Sequence, residues 1–316
     1  MIYFTADLGG TLIKCGLVKD GSLLAQATLP AVSQHGLGAA LPRIGDCLRA
    51  LCAQRGLSPD MLGGAGIGVP TLVDARAGKI LCTLGTKYPD ADRVDVPGWF
   101  AAEFSLPVKL ENDAHAALLG EWRFGAGRGV DDLVMVTLGT GIGTSVLLQG
   151  RPLRGVHWQA GNLGGHFVMQ PLGRPCGCGG QGCVEAITQK AALVEAARKD
   201  VRWQQSLLSS SNEVDYAVIF EAAKRGDKLA LSLRNRSLEY WGALLVSLIH
   251  AYDPVRVIVG GGIMQSADVI LPCLRSYVDC HALTPWGKVQ VAAASLGNGA
   301  ALLGVSVLFM MGADYL

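Results

Sequence analysis

Residues 2–21 read IYFTADLGGTLIKCGLVKDG, and residues 133–150 read LVMVTLGTGIGTSVLLQG. The two stretches have the same order. An apolar strand runs into a turn of glycine and threonine, a second strand follows, and an X-Gly turn closes the unit at Asp20-Gly21 and at Gln149-Gly150. The first copy leads into a third strand at Leu23–Leu29. Leu37, Leu41, Ile44, Leu48 and Leu51 then recur at helical spacing until about Gly56. Further buried strands are predicted at Gly64–Val69, stopped by Pro70, and at Leu106–Leu110, with little periodicity over residues 71–98. Asn112 or Asp113 caps a helix predicted to run through Trp122. The second copy is followed by helical runs at 184–198, 212–225 and 228–252, then by a buried strand, Arg256–Val259, that ends in Gly260-Gly261-Gly262. This is an α/β pattern in two similar halves, and two such halves are expected to enclose a ligand cleft.

Composition narrows the function classes. With 316 residues, half of them apolar, the chain is long enough for two domains with real cores. A net charge of +1 leaves no electrostatic footprint for nucleic acid or for an anionic membrane. Nine cysteines, an odd number, and the lack of a basic and apolar leader after Met1 point to a reducing, cytoplasmic setting. The uncharged run Leu296–Ala313 reads as a buried helix, with a membrane anchor the weaker alternative.

Between His157 and Glu185 lies HWQAGNLGGHFVMQPLGRPCGCGGQGCVE. One imidazole at His166 and three thiols at Cys176, Cys178 and Cys183 make a complete tetrahedral shell for zinc. Glycine at 177, 179, 180 and 182 lets a short loop turn the sulfurs toward one point. The competing readings are a disulfide or three apolar core cysteines. Four protein ligands leave no position for water or substrate, so the expected Zn²⁺ is structural.

The Gly/Thr turns present backbone N–H groups suited to phosphate. No GxxxxGK[ST] loop occurs. The one GxGxxG spacing, Gly177-Gly179-Gly182, neither follows a strand nor opens a helix, which excludes a dinucleotide fingerprint. Glu111-Asn112-Asp113-Ala114-His115 sits at a strand-to-helix junction. Asp113 can be a plain helix cap. It can also accept the proton of an attacking hydroxyl, and the helix dipole is expected to keep it ionised. Asp7 is suited to a place near phosphates or a bound Mg²⁺.

Taken together these residues resemble the ROK sugar kinases, relatives of the actin-like and hexokinase ATPases, over nearly the whole chain. Asp7-Leu8-Gly9-Gly10-Thr11 is similar to the first phosphate loop of that family, Gly139-Thr140-Gly141 to the second, and Gly260-Gly261-Gly262 to its adenosine turn. Glu111-Asn112-Asp113 resembles its sugar-binding Asn and catalytic Asp. Residues 176–185 fit its CxCGxxGCxE signature. The resemblance implies two actin-like, ribonuclease H-like α/β lobes, here residues 1–113 with 300–316 and residues 114–299. It also implies ATP and Mg²⁺, zinc on His166, Cys176, Cys178 and Cys183, a sugar substrate touched by Asn112, Asp113, His166 and Glu185, and a homodimer. The expected reaction is phosphorylation of a free hexose, mostly at C6, with lobe closure excluding water. The family's regulators add a DNA-binding helix-turn-helix ahead of the phosphate loop, for which this chain is expected to have no room. A sugar-binding regulator or pseudokinase is the rival reading.

The departures fall on the acceptor side. Where the family has ExGH, the chain reads Asn162-Leu163-Gly164-Gly165-His166, so that Leu163, or with one inserted residue Asn162, stands in for the Glu. Its GxPG turn is Gly68-Val69-Pro70-Thr71, and its loop Asn is not evident near Thr86-Lys87. The implied chemistry is kept while the acceptor contacts differ.

Overall fold

The structure, a computed structural model, describes residues 1–83 and 87–311. These form two compact units. The first contains Met1–Asp131, Gln149–Gly161 and the chain from Ser295, and the second contains Asp132–Leu148 and Asn162–Ala294.

In the first unit β1 (Ile2–Leu8) and β2 (Leu12–Lys19) form the expected antiparallel hairpin, and β3 (Ser22–Pro30) adds to β2. The helix α1 (Leu37–Gln54) follows, then β4 (Ala65–Val69), parallel to β1. A two-stranded ribbon, β5 (Val73–Asp74) and β6 (Lys79–Ile80), and the helix α2 (Val96–Phe104) lead to β7 (Val108–Asn112), parallel to β4. The helix α3 (Asp113–Phe124) starts directly at the end of β7. The expected boundary after residue 113 falls at the start of α3, all of which belongs to this unit.

The second unit repeats the plan. β8 (Leu133–Leu138) and β9 (Ile142–Leu148) form an antiparallel hairpin. The chain then passes through β10 (Arg151–Pro152), counted with the first unit, before the helices α4 (Val184–Thr188), α5 (Lys190–Lys199), α6 (Tyr216–Lys224) and α7 (Lys228–Tyr252). β11 (Arg256–Gly260) lies parallel to β8, and α8 (Ala267–His281) and β12 (Gln290–Ala293) complete the unit. The strand order β2-β1-β4-β7 in one unit matches β9-β8-β11-β12 in the other. The duplicated hairpin of the sequence is therefore a duplicated sheet.

Two helical expectations are corrected. The run 184–198 is two helices, because Gln189 is extended and separates α4 from α5. The run from 212 becomes helical only at Tyr216, where the Asp215 carboxylate accepts from the Val218 N–H as a side-chain cap. The run 228–252 is one helix, capped by Asp227 and ended by Asp253 in a left-handed conformation before Pro254.

The uncharged C-terminal run holds α9 (Ala300–Val307), buried along its whole length. It crosses α3 at close range through two glycines. A Cβ on Gly304 would lie 1.6 Å from the Ala116 carbonyl oxygen, and one on Gly120 would lie 2.1 Å from that of Ala300. No helix among the described residues is long and apolar enough to cross a membrane.

Candidate active site

The β1–β2 turn is held by its carbonyls. The Tyr88 hydroxyl donates to Gly9 O (3.0 Å), Ser33 Oγ to Gly10 O (2.9 Å) and the Ala31 N–H to Thr11 O (2.8 Å). With its oxygens engaged, the turn is left to offer N–H groups and the Thr11 hydroxyl, the donor set a phosphate needs. Gly9 donates to Leu12 O, and a Cβ on it would sit 2.7 Å from that oxygen. A Cβ on Gly10 would strike the Lys87 side chain at 2.5 Å. Lys87 therefore lies against the turn. Thr86, named beside it on the acceptor side, falls outside the described residues.

Asp7, on β1, pairs with Lys14 Nζ at 3.8 Å. Burial raises its carboxyl from the usual range, against the pull of Lys14. At the end of β7 the Asn112 side chain is the helix cap: its Oδ1 accepts from the N–H groups of Ala114 (3.0 Å) and His115 (3.2 Å). Asn112 Nδ2 donates to Thr71 O at 3.0 Å, which leaves one amide N–H for a ligand. The cap is thus Asn112 rather than Asp113, although Asp113 Oδ1 also accepts from Ala114 at 2.8 Å.

Forces other than the helix start act on Asp113, whose side chain is half-buried. Burial, and then the charge of Asp7, push its carboxyl up to about 7, with the Ala114 N–H and Lys87 pulling the other way. A helix terminus favours a carboxylate by about 0.3–1 kcal/mol at an exposed site, whereas desolvation can raise a carboxyl by several pK units. Desolvation outweighs the helix end here. The result is a carboxyl that takes or gives a proton near neutrality, with a second acid and an amine close enough to shift it.

Sequence reasoning passed over Arg154. Its guanidinium meets the fully buried Glu111 carboxylate with both forks, Nη1–Oε1 at 3.0 Å and Nη2–Oε2 at 2.6 Å. Glu111 Oε1 also accepts from the Asn112 N–H at 2.9 Å and lies 3.3 Å from His115 Nδ1. Burial by itself would raise the Glu111 carboxyl, yet His115 and Arg154 together hold it down at about 2. The available signal was a Glu at the end of an apolar strand, which has to find a cation when buried.

In the second unit the β8–β9 turn closes with the Gly139 N–H donating to Gly141 O at 3.0 Å. Glu185 Oε2 accepts from the Ile142 N–H at 2.7 Å and would meet a Cβ on Gly141 at 2.4 Å. Glu185 therefore lies on the second glycine turn. Gly261 has φ 96°, and a Cβ there would lie 2.2 Å from Leu138 O, so the Gly260–Gly262 turn packs on the end of β8. Gly139, Gly141, Glu185, Tyr216, Trp241 and Ile263 line one small pocket in this unit. The turn Gly164–His166 also packs here: the Gly164 N–H donates to Thr144 Oγ1 at 2.8 Å, and a Cβ on Gly165 would lie 2.1 Å from Ile142 O. Asn162 and Leu163, both half-buried, lead into that turn.

His166, Cys176, Cys178 and Cys183 come together, with one ligand atom from each all within 4.8 Å of one another. Cys176 Sγ is 3.5 Å from His166 Nδ1, and Cys178 Sγ is 3.7 Å from Cys183 Sγ. All three cysteines are free thiols. Zinc–sulfur bonds of about 2.3 Å in a tetrahedron give S···S edges of about 3.8 Å, so the donor set fits a zinc ion. Burial and the neighbouring sulfurs push the Cys183 thiol up to about 12, a cost that a bound cation would reverse. Gly182 makes the loop possible. Its φ is 72°, and a Cβ would lie 1.6 Å from Gln170 O.

A duplicated β-hairpin sheet with a glycine turn in each copy defines the actin-like ATPase class. The ROK family model matches residues 3–311, and the chain belongs to the ROK family. Its relatives include the glucokinase of Thermotoga maritima, 33% identical over 307 residues that cover 95% of this chain and 94% of that one. The ROK hexokinase structure from Thermus thermophilus has a TM-score of 0.78 at 31% identity, covering 97% of each chain. The ROK family glucokinase from Streptomyces griseus, in complex with glucose and AMPPNP, has a TM-score of 0.79 at 30% identity, covering 98% of this chain and 99% of that one. The xylose repressor of Bacillus subtilis is 29% identical over 262 residues, covering 83% of this chain but 64% of the repressor.

Proposed function

We propose that the chain transfers the γ-phosphate of ATP to a hydroxyl, at C6, of a free hexose or hexose derivative such as glucose or an N-acetylhexosamine. The chain is a phosphotransferase of the sugar-kinase class, since glucokinases match it from end to end. The observation that carries the reading is Asp113, a half-buried carboxyl directly after the helix cap Asn112 at the end of β7, shifted up to about 7 by desolvation and the charge of Asp7. In this reading Asp113 takes the proton of the acceptor hydroxyl as the phosphoryl group arrives. Gly9 and Gly139 close the two turns with their own N–H groups, Gly10 and Thr11, with Thr140 and Gly141, donate N–H and hydroxyl groups to phosphate oxygens, and Gly260–Gly262 accommodate the adenosine. Asn112 gives its remaining amide N–H to a sugar hydroxyl, and His166, Asn162 and Glu185 contribute to the acceptor side. Asp7 is the carboxylate suited to hold Mg²⁺ through water, and such a cation neutralises charge on the transferring phosphates. His166, Cys176, Cys178 and Cys183 would hold a structural zinc, which would supply no chemistry and would fix the loop that carries Glu185. We place the enzyme in the cytoplasm, as a homodimer.

A sugar-binding regulator is the second reading, favoured by the relationship to xylose repressors and by the absence of a Glu at 162. A screen of ADP release over hexoses, N-acetylhexosamines and rarer epimers separates the two. Turnover with at least one sugar is expected. Saturable sugar binding with no ADP release from any of them would overturn the kinase reading.

A further inference from the structure

The segment Gln149–Gly161 belongs to the first unit, although β9 before it and the Gly164–His166 turn after it belong to the second. Two of its contacts to the rest of the first unit matter here. The Gly150 N–H donates to Asp131 O at 2.9 Å, and Arg154 forks onto Glu111. Between Arg154 and Ala160 the segment closes on itself, since the Ala160 N–H donates to Arg154 O at 3.0 Å. Arg154 therefore stands at the neck of a small closed loop. The tip of that loop holds Trp158 at φ 59°, a left-handed conformation that a bulky side chain rarely adopts. The Trp158 ring lies under the Arg154 guanidinium, 5.2 Å from its carbon to the ring centroid.

The other side of Arg154 is the β7–α3 corner. The Glu111 oxygens are spent on both Arg154 forks and on the Asn112 N–H, with His115 Nδ1 within reach. The Asn112 N–H belongs to the residue that caps α3, and Asp113 is the next residue. The orientation of Asp113 thus depends on a carboxylate whose own orientation depends on a planar two-pronged donor. Lysine cannot reproduce that donor: it brings the charge, but as a point and not as a fork.

We propose that Arg154 is a positioning residue for phosphoryl transfer. By forking onto Glu111 it fixes the corner that carries Asn112 and Asp113, and by covering Trp158 it couples that corner to the 154–160 loop. Arg154 touches neither the phosphates nor the acceptor in this role. It acts through Glu111. The inference rests on the sugar-kinase reading with Asp113 as the base.

The experiment is steady-state kinetics of full-length Arg154→Lys with ATP, Mg²⁺ and the best acceptor from the screen, with thermal unfolding measured on the same preparation. A displacement of about 1 Å at a catalytic group can cost about 100-fold, so kcat is expected to fall by about 10- to 100-fold while KM for ATP is unchanged. A merely stabilising residue would lower the unfolding temperature and leave the kcat of the folded fraction intact. If Arg154→Lys does not fold, the double variant Glu111→Gln with Arg154→Met removes both buried charges together, and the same loss of kcat is expected there. Wild-type kcat in either folded variant would overturn the proposal. Wild-type protein that turns over no sugar would instead overturn the reading on which it rests.

Discussion

Asp113→Asn perturbs activity and stability in opposite directions, and the structure sizes both effects. The carboxyl lies at about 7 in the folded protein against an ordinary value of 3.8. A group whose folded pKa is raised above its unfolded value binds its proton more tightly when folded, so folding stability declines as pH rises from about 4 through 7. A gap of about three pK units is worth about 4 kcal/mol at 1.36 kcal/mol per unit. Asn has nearly the same shape and no charge to bury, so the variant should be more stable than wild type by up to about 4 kcal/mol at pH 8 and by less than about 2 kcal/mol at pH 5. Its Oδ1 can still accept from the Ala114 N–H, as Asp113 does now. Turnover should fall by about 10²–10⁴-fold with the loss of the base, while sugar and ATP binding persist. Wild-type kcat/KM should climb about tenfold per pH unit below about 7 as Asp113 ionises, then level off. The assays are ADP release from pH 5.5 to 8.5 and urea unfolding at the two pH values. A variant with no stability gain at pH 8 and near-normal turnover would refute both the buried-acid reading and the assignment of Asp113 as the base.

Three further outcomes follow from the site. Lys87→Met removes the amine that opposes protonation of Asp113, so the acid limb of the pH–rate profile should move to higher pH; a limb that stays in place or moves down would remove Lys87 from the site's electrostatics. Protein purified without chelator should carry one zinc per chain, and Cys178→Ser should lose the metal and loosen the 166–185 loop; elemental analysis that finds no zinc in the wild type would sink the metal assignment. Asn162→Glu should shift preference toward glucose over the best alternative sugar by about 1–3 kcal/mol, because a carboxylate accepts from two hydroxyls where an amide offers one acceptor. An unchanged kcat/KM ratio for the two sugars would rule Asn162 out as a selectivity residue.

The parts of this protein legible in its sequence are those whose cause is local. Each glycine turn is set by a few adjacent residues, and both were read where β1–β2 and β8–β9 turn. Cys176, Cys178 and Cys183 are close in sequence, so their spacing alone predicted the cluster that they form with His166. The helical run 228–252 and the buried helix within Leu296–Ala313, observed at Ala300–Val307, were legible because helical burial is periodic or continuous along the chain itself. What tertiary structure alone decided depends on residues far apart. The protonation of Asp113 is a balance of desolvation, Asp7 and Lys87, and the helix-end argument, being local, includes none of the three. The start of α1 shows the same limit. Its first N–H groups, on Leu37 and Gly38, find the Asp90 carboxylate at 2.5 and 3.0 Å, while Gly36 at the capping position has no side chain to offer. Arg154 was invisible for the same reason. Nothing in Pro152-Leu153-Arg154-Gly155 indicates that its partner is Glu111, because desolvation and ion pairing are summed over neighbours in space, and only the folded chain determines which residues those are.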